Sequence, residues 1–261
     1  MLLAINIGNG AVELGVFGEA EQPAAVCKLG SDALKTDDEY AMLIDGALSF
    51  KGVARSAIDG VVIGSVVPML TERIERAASE LFGVVPLTVR PGVKTGFKIR
   101  LNDPTELGAD IAANAAGAIA LCGAPVIVCH IGEVTSVTAV NGDKTFLGGA
   151  LLPGMGMSLD ALSNAALLPA ATIIPPRSPL GKNTAECMNA GIFYGQAAAV
   201  KALVSAYGAE ISDSGSASVV LSGEYAERLA PYLDLPFAVI PQLTLMGLRE
   251  IVKNNKPSRR G

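Results

Sequence analysis

The 261-residue chain has no tryptophan, a single histidine, four cysteines and only 5% aromatic residues. Cys27, Cys122, Cys129 and Cys187 form no C-x-x-C pair, and one histidine cannot complete a zinc site of the usual spacing with them. We therefore expect no metal held by these side chains, and we expect the four thiols to be buried and reduced.

An excess of positive charge is also missing, because 20 Lys and Arg stand against 25 Asp and Glu. Binding to a phosphate backbone needs clustered cations, so nucleic acid is not an expected partner. The one basic cluster, residues 253–260, lies at the polar C-terminus and is assigned no function. Apolar stretches such as residues 109–121 are interrupted well before the roughly 18 residues of a membrane span, and the start of the chain lacks the features of a signal peptide. We expect no membrane partner and a cytoplasmic location.

What the chain does have is an internal repeat. Residues 4–16 are matched 124 residues later by residues 128–140: in each copy an apolar run ends in a polar residue followed by Ile-Gly, and mostly β-branched, apolar or small residues follow. Each copy predicts a strand, a tight turn and a second strand. Half of the residues are apolar, with 29 Gly and 15 Pro, which is typical of an α/β protein. We predict two related domains, residues 1–115 and 116–261, each opening with a hairpin.

Hydrophobic spacing predicts the remaining elements. The predicted helices are 37–50, 71–82, 107–121, 157–168, 184–207 and 245–254, and the predicted strands are 60–67, 86–89, 146–152 and 217–222.

The glycines of the first hairpin do not fit the common nucleotide motifs. In Gly8-Asn9-Gly10 the third glycine of a dinucleotide fingerprint would fall on Glu13, and a strand follows where a helix should begin. Gly181-Lys182 is followed by Asn183 in place of the hydroxyl residue of a P-loop. Two glycine-bearing hairpins fit another strategy, in which main-chain N–H groups and hydroxyls of both halves line a cleft that holds phosphates.

An ordered set of short motifs then becomes recognisable along nearly the whole chain. They are residues 6–9 (Asn-Ile-Gly-Asn), 65–68 (Ser-Val-Val-Pro), 91–96 (Pro-Gly-Val-Lys-Thr-Gly), 108–110 (Gly-Ala-Asp), 148–149 (Gly-Gly), 153–154 (Pro-Gly), 181–184 (Gly-Lys-Asn-Thr) and 243–249 (Leu-Thr-Leu-Met-Gly-Leu-Arg). In this order they resemble the type III pantothenate kinases. The resemblance implies two ribonuclease H-like domains of the acetate and sugar kinase, Hsp70 and actin superfamily, a homodimer, and ATP-dependent phosphorylation of pantothenate as the first step towards coenzyme A.

The resemblance also implies roles for individual residues. Asp110 is expected to be the catalytic general base that accepts the proton of the pantothenate hydroxyl. Phosphate binding falls to Asn6, Gly8, Asn9, Gly10, Gly132 and Thr135, and substrate binding to Gly108, Ala109 and Thr184, the last reaching the neighbouring subunit's substrate. The expected cofactors are ATP with Mg²⁺ and a monovalent cation, K⁺ or NH₄⁺. Taken alone, Asp110 also fits a helix N-terminal charge, Thr184 a helix N-cap and His130 a hydrogen-bonded core imidazole.

Several positions depart from what the resemblance implies. An aspartate is expected where Asn6 stands and another, at the monovalent cation, where His130 stands; a phosphate-binding threonine is expected at Glu133, a hydroxyl residue at Gly10, an arginine at Ile111 and a tyrosine at Leu101. Lys98 and Arg100, which could supply positive charge, are interpreted as solvated strand ends. Three hypotheses remain: a divergent pantothenate kinase, a non-catalytic paralogue that acts as a partner or regulatory subunit, for example in a heterodimer with an intact paralogue, and a kinase of the same fold for another small substrate.

Overall fold

The structure is a computed structural model that describes residues 1–164, 168–211 and 215–255. Its strands are β1 (Leu2–Ile7), β2 (Ala11–Phe17), β3 (Ala25–Gly30), β4 (Gly60–Ser65), β5 (Leu87–Thr88), β6 (Lys98–Ile99), β7 (Val126–Ile131), β8 (Val134–Val140), β9 (Thr145–Pro153), β10 (Ser218–Ser222) and β11 (Ala238–Val239). Its helices are α1 (Asp37–Phe50), α2 (Pro68–Phe82), α3 (Ala109–Cys122), α4 (Met155–Asn164), α5 (Thr184–Glu210), α6 (Ala226–Leu229) and α7 (Leu243–Asn255).

The chain folds into two compact units. The first comprises residues 1–97, 102–120 and the segment from residue 244 onwards, and the second comprises residues 98–101 and 121–243. The domain boundary between residues 115 and 116 stays a prediction.

The sheet of the first unit has the strand order β3-β2-β1-β4-β5. β1, β2 and β3 are antiparallel neighbours, whereas β4 runs parallel to β1 and β5 runs parallel to β4. Because strand side chains alternate between faces, Leu3, Ile5 and Ile7 point to one face, where they join α1 and α2 in a buried apolar core. The other face carries α7, and a Cβ at Gly64 would lie 2.8 Å from the side chain of Leu248 on that helix.

The sheet of the second unit repeats this connectivity. Its order is β11-β10-β7-β8-β9-β6; β7, β8 and β9 are antiparallel neighbours, and β10 and β11 run parallel to β7. Strands β9-β8-β7-β10-β11 therefore correspond to β3-β2-β1-β4-β5, and β6 adds a short parallel edge beside β9. Both predicted hairpins, and the duplication they indicate, are confirmed.

The predicted helices are present with shifts at their ends. α1 has the predicted limits because a capping box between Thr36 and Glu39 fixes its start. α2 begins three residues early, at Pro68, because proline is favoured in the first turn, where its missing N–H costs no hydrogen bond. α4 begins at Met155, and residues 165–167 of its predicted range lie outside the described part of the chain, as do residues 256–260 of the basic cluster. Strands β3, β6 and β11 are not predicted from the sequence.

The expectation of four buried thiols is wrong in part. Cys27 and Cys129 are buried, as expected. Cys122 is partly exposed, and Cys187, in the first turn of α5, is exposed to solvent. Lys98, the first residue of β6, and Arg100, the residue after its last, are both exposed, as predicted. Among the helices of the described residues, none combines the length and the apolarity that crossing a bilayer requires.

Candidate phosphate-binding site

The turn of the first hairpin is formed by Gly8, Asn9 and Gly10. The N–H of Gly8 donates to the carbonyl oxygen of Ala11 at 2.9 Å, which closes the turn. Ser31, just after β3, donates from its hydroxyl to the carbonyl of Gly8 at 2.5 Å and from its N–H to the carbonyl of Gly10 at 3.3 Å. Asn9 and Gly10 are exposed. The third strand therefore fixes the turn and leaves its tip open to a ligand.

A row of polar side chains crosses the first sheet beside this turn. The strand register places Asn6 opposite Glu13 and Glu13 opposite Lys28. The Asn6 Nδ2 donates to Glu13 Oε2 at 3.5 Å, and Lys28 Nζ lies 2.9 Å from Glu13 Oε1. Sequence reasoning placed residues 6–13 in the first phosphate loop but gave no role to the side chains of Glu13 and Lys28, because their contact depends on a register that the sequence alone does not give.

The turn of the second hairpin, Gly132-Glu133, is held tightly by other backbone segments. Gly154 donates to the carbonyl of Glu133 at 2.9 Å, and a Cβ at Gly154 would overlap the carbonyl oxygen of Gly132. Only glycine allows this approach. Gly132 is buried, whereas Glu133 is exposed, so the turn presents a carboxylate to solvent.

A second polar row accompanies this turn. His130 is opposite Ser136 on β8 and beside Ser222 on β10. His130 is partly exposed, and its Nε2 lies 2.9 Å from where a Cβ of Gly132 would be, so the imidazole lies against the turn. Its interpretation as a hydrogen-bonded core imidazole stays a prediction.

Thr135 occupies the opposite face of β8. It shares that face with Val137 of the buried core, is 0% exposed, and its hydroxyl has no hydrogen-bond partner among the described residues. The strand alternation therefore turns this threonine inward, because residues two apart on a strand share a face. Its role in phosphate binding stays a prediction.

Asp110 is the second residue of α3. The Ala112 N–H donates to the carbonyl of Gly108 at 2.9 Å at the start of the helix. Asp110 is partly exposed, and its Oδ1 lies 2.7 Å from where a Cβ of Gly108 would be, so the carboxylate folds back over the glycine. Ala109, the residue between them in the sequence, is buried. The carboxylate of Asp110 therefore lies against Gly108 at the N-terminus of α3, and its role as the general base stays a prediction.

Thr184 lies at the start of α5 in an exposed position. Its interpretation as the N-cap is wrong, because Asn183 caps the helix by accepting from the Glu186 N–H at 3.0 Å. Glu186 in turn accepts from the Lys182 N–H at 2.7 Å. Thr184 is therefore left as the first helical residue, with a hydroxyl that the cap does not use.

Comparison with known proteins shows the family of the chain. A sequence model described as type III pantothenate kinase matches residues 2–206. The chain belongs to the type III pantothenate kinase family. A relative with this name from Moorella thermoacetica is 39% identical over 256 residues, covering 98% of this chain and 100% of the relative.

Two solved structures share the fold. Component A of (R)-2-hydroxyglutaryl-CoA dehydratase from Acidaminococcus fermentans has a TM-score of 0.59 at 15% identity, covering 98% of this chain and 99% of that one. A ROK family glucokinase from Streptomyces griseus has a TM-score of 0.51 at 12% identity, covering 97% of this chain and 99% of that one. The fold of two ribonuclease H-like α/β domains is confirmed.

A kinase of this family implies ATP and a divalent metal. The amide oxygen of Asn6 and the carboxylate of Glu13 are hard oxygen donors of the kind that Mg²⁺ prefers, so the first turn fits the metal. Position 130 does not fit a K⁺ ion, because an imidazole supplies nitrogen where a hard monovalent cation is coordinated by oxygen.

Proposed function

We propose that the chain phosphorylates pantothenate with ATP, which is the first step towards coenzyme A. The observation that carries this proposal is the family match together with the 39% identity that extends over the full length of a relative named type III pantothenate kinase. Bound ATP supplies the γ-phosphate, and Mg²⁺ neutralises its charge.

In this proposal the residues of the chain divide the work. Asp110 accepts the proton of the attacking hydroxyl, and Gly108 and Ala109 shape the substrate site beside it. The phosphates lie along Asn6, Gly8, Asn9 and Gly10 of the first turn and along Gly132 and Thr135 of the second. Thr184 contacts the substrate of a neighbouring subunit in a homodimer.

The test measures ADP release and the mass of the phosphorylated product, with and without pantothenate, in Mg²⁺ with either K⁺ or NH₄⁺. We expect Asp110→Asn to lower turnover by about 10² or more, as for the loss of a general base. Asp38→Asn is the matched control, because Asp38 is the second residue of α1 as Asp110 is of α3, and it removes the same helix-terminal charge. Equal turnover in wild type and Asp110→Asn contradicts the proposed base.

A second candidate function is that of a non-catalytic family member that pairs with an intact paralogue. The exposed carboxylate of Glu133 favours it, because an anion at the tip of the second turn repels ATP phosphates where a threonine hydroxyl was expected. Mass measurement after co-expression with such a paralogue distinguishes the two candidates. Homodimers that form phosphopantothenate support the first, and heterodimers combined with a silent homodimer support the second.

A further inference from the structure

The first hairpin contains one acidic side chain, Glu13. It is the only Asp or Glu in residues 1–18. Its neighbours on β2, Val12 and Leu14, point to the other face and are fully buried. The alternation of the strand therefore puts Glu13 on the face that carries Asn6, three residues beyond the exposed turn.

The two oxygens of Glu13 are used unequally. Oε1 is paired with Lys28 Nζ at 2.9 Å. Oε2 accepts a long contact from Asn6 Nδ2 at 3.5 Å, the outer limit of a hydrogen bond. The ammonium thus fixes the direction of the carboxylate while Oε2 keeps most of its capacity to accept.

Charge along the row is the second consideration. Asn6 is neutral, so the row holds one carboxylate, on Glu13, and one ammonium, on Lys28. Had an aspartate occupied position 6 with a neutral residue at position 13, the row would hold the same two charges. The row therefore carries its one carboxylate on β2 and not on β1.

We propose that Glu13 is the acidic ligand for the divalent metal of the first glycine turn, in the place of the aspartate expected at position 6. The inference rests on the proposed function, because the metal is the one that accompanies ATP. Mg²⁺ is bound in such sites through one or two carboxylates together with phosphate oxygens, and a carboxylate oriented in advance by Lys28 suits it. The side-chain oxygen of Asn6 adds a neutral donor of the same hardness.

The experiment titrates the full chain with Mn²⁺ in the presence of the non-hydrolysable analogue AMPPNP and follows free Mn²⁺ by electron paramagnetic resonance. We expect Glu13→Gln to weaken Mn²⁺ binding about tenfold or more, the size of effect that the loss of one ligand-shell group produces. Asn6→Asp combined with Glu13→Gln returns the carboxylate to position 6 and is expected to restore binding to within about threefold of wild type.

Glu75→Gln is the matched control. Glu75 is also a carboxylate in an ion pair, with Arg90 Nη2 at 2.7 Å, and its side chain is 25% exposed against 27% for Glu13. It lies on α2, and we expect its variant to bind Mn²⁺ as the wild type does. Thermal melting of every variant establishes that it is folded.

The outcomes separate this inference from the proposed function. Weaker binding in Glu13→Gln with restoration in the double variant supports it, even when no phosphate is transferred. Unchanged Mn²⁺ binding in Glu13→Gln overturns it, even when wild type makes phosphopantothenate. A wild type that binds no Mn²⁺ with the nucleotide overturns both the inference and the proposed function. Weakening by Glu75→Gln equal to that by Glu13→Gln overturns the inference alone.

Discussion

Asn6→Asp should destabilise the protein through Glu13, independently of any ligand. The new carboxylate oxygen at position 6 would replace the amide nitrogen that lies 3.5 Å from Glu13 Oε2, so a donor–acceptor contact becomes a contact of two anions. At that distance two unit charges repel by about 1 kcal/mol in water and by about 5 kcal/mol at an effective dielectric of 20. Because Glu13 is 27% exposed and paired with Lys28, we expect a loss of about 2 kcal/mol in the free energy of unfolding.

Thermal melting at neutral pH and low salt measures this loss. A loss of about 2 kcal/mol lowers the melting temperature by about 4–8 °C in a chain of this size. Asn6→Ala removes the amide without adding charge, so the difference between the two variants isolates the repulsion. Adding Glu13→Gln to Asn6→Asp should recover most of the loss, because the glutamine amide then donates to the new carboxylate. The reasoning is refuted when Asn6→Asp and Asn6→Ala have the same melting temperature. It is also refuted when the melting temperature of the double variant is no higher than that of Asn6→Asp.

Three further predictions concern packing and thiol chemistry. Gly247→Ala should lower the free energy of unfolding, measured by urea denaturation, by about 3 kcal/mol or more, because its Cβ would overlap a carbonyl oxygen of α3. Gly46→Ala has open space around it in α1 and should raise the free energy of unfolding by about 0.5–1 kcal/mol. Thr244→Val should cost about 1–3 kcal/mol, because it removes a 2.7 Å hydrogen bond to a buried amide of α3. In the native protein a thiol reagent should modify exposed Cys187 at once but reach Cys129 only after denaturation, since complete burial raises the pKa of Cys129 to about 12.

Much of the fold could be predicted from the sequence because its repeated hairpins carry strong local signals. An apolar run, a polar residue and Ile-Gly identify a strand and its turn within a few residues. Two of the strands that were missed, β6 and β11, lack this signal and have only two residues each. β5 is equally short, but it lies inside a longer apolar run and was predicted. β3 is the edge strand of its sheet, and Lys28 and Gly30 interrupt its apolar residues.

The site was less predictable, for a different physical reason. Asn6 and Asp110 lie next to glycine motifs that can be recognised in the sequence. Glu13 stands out only through its ion pair with Lys28, which is 15 positions further along the chain and on the neighbouring strand β3. In the sequence Glu13 is an ordinary outward residue of an alternating strand. Register, which fixes its partners, depends on packing of the whole sheet.

Substitutions in such a sheet act on rows of cross-strand neighbours rather than on single positions. In the first unit the row of Asn6 still holds a carboxylate, on Glu13. In the second unit the row of His130 continues to Ser136 and Ser222, both hydroxyl residues, and the nearest acid along the chain, Glu133, lies at the exposed tip of the turn. The two turns therefore differ in where their acid lies: the first has a carboxylate in the polar row beside it, and the second has one at its exposed tip. It follows that replacing Asn6 alone with aspartate adds a second anion to a row that already has one.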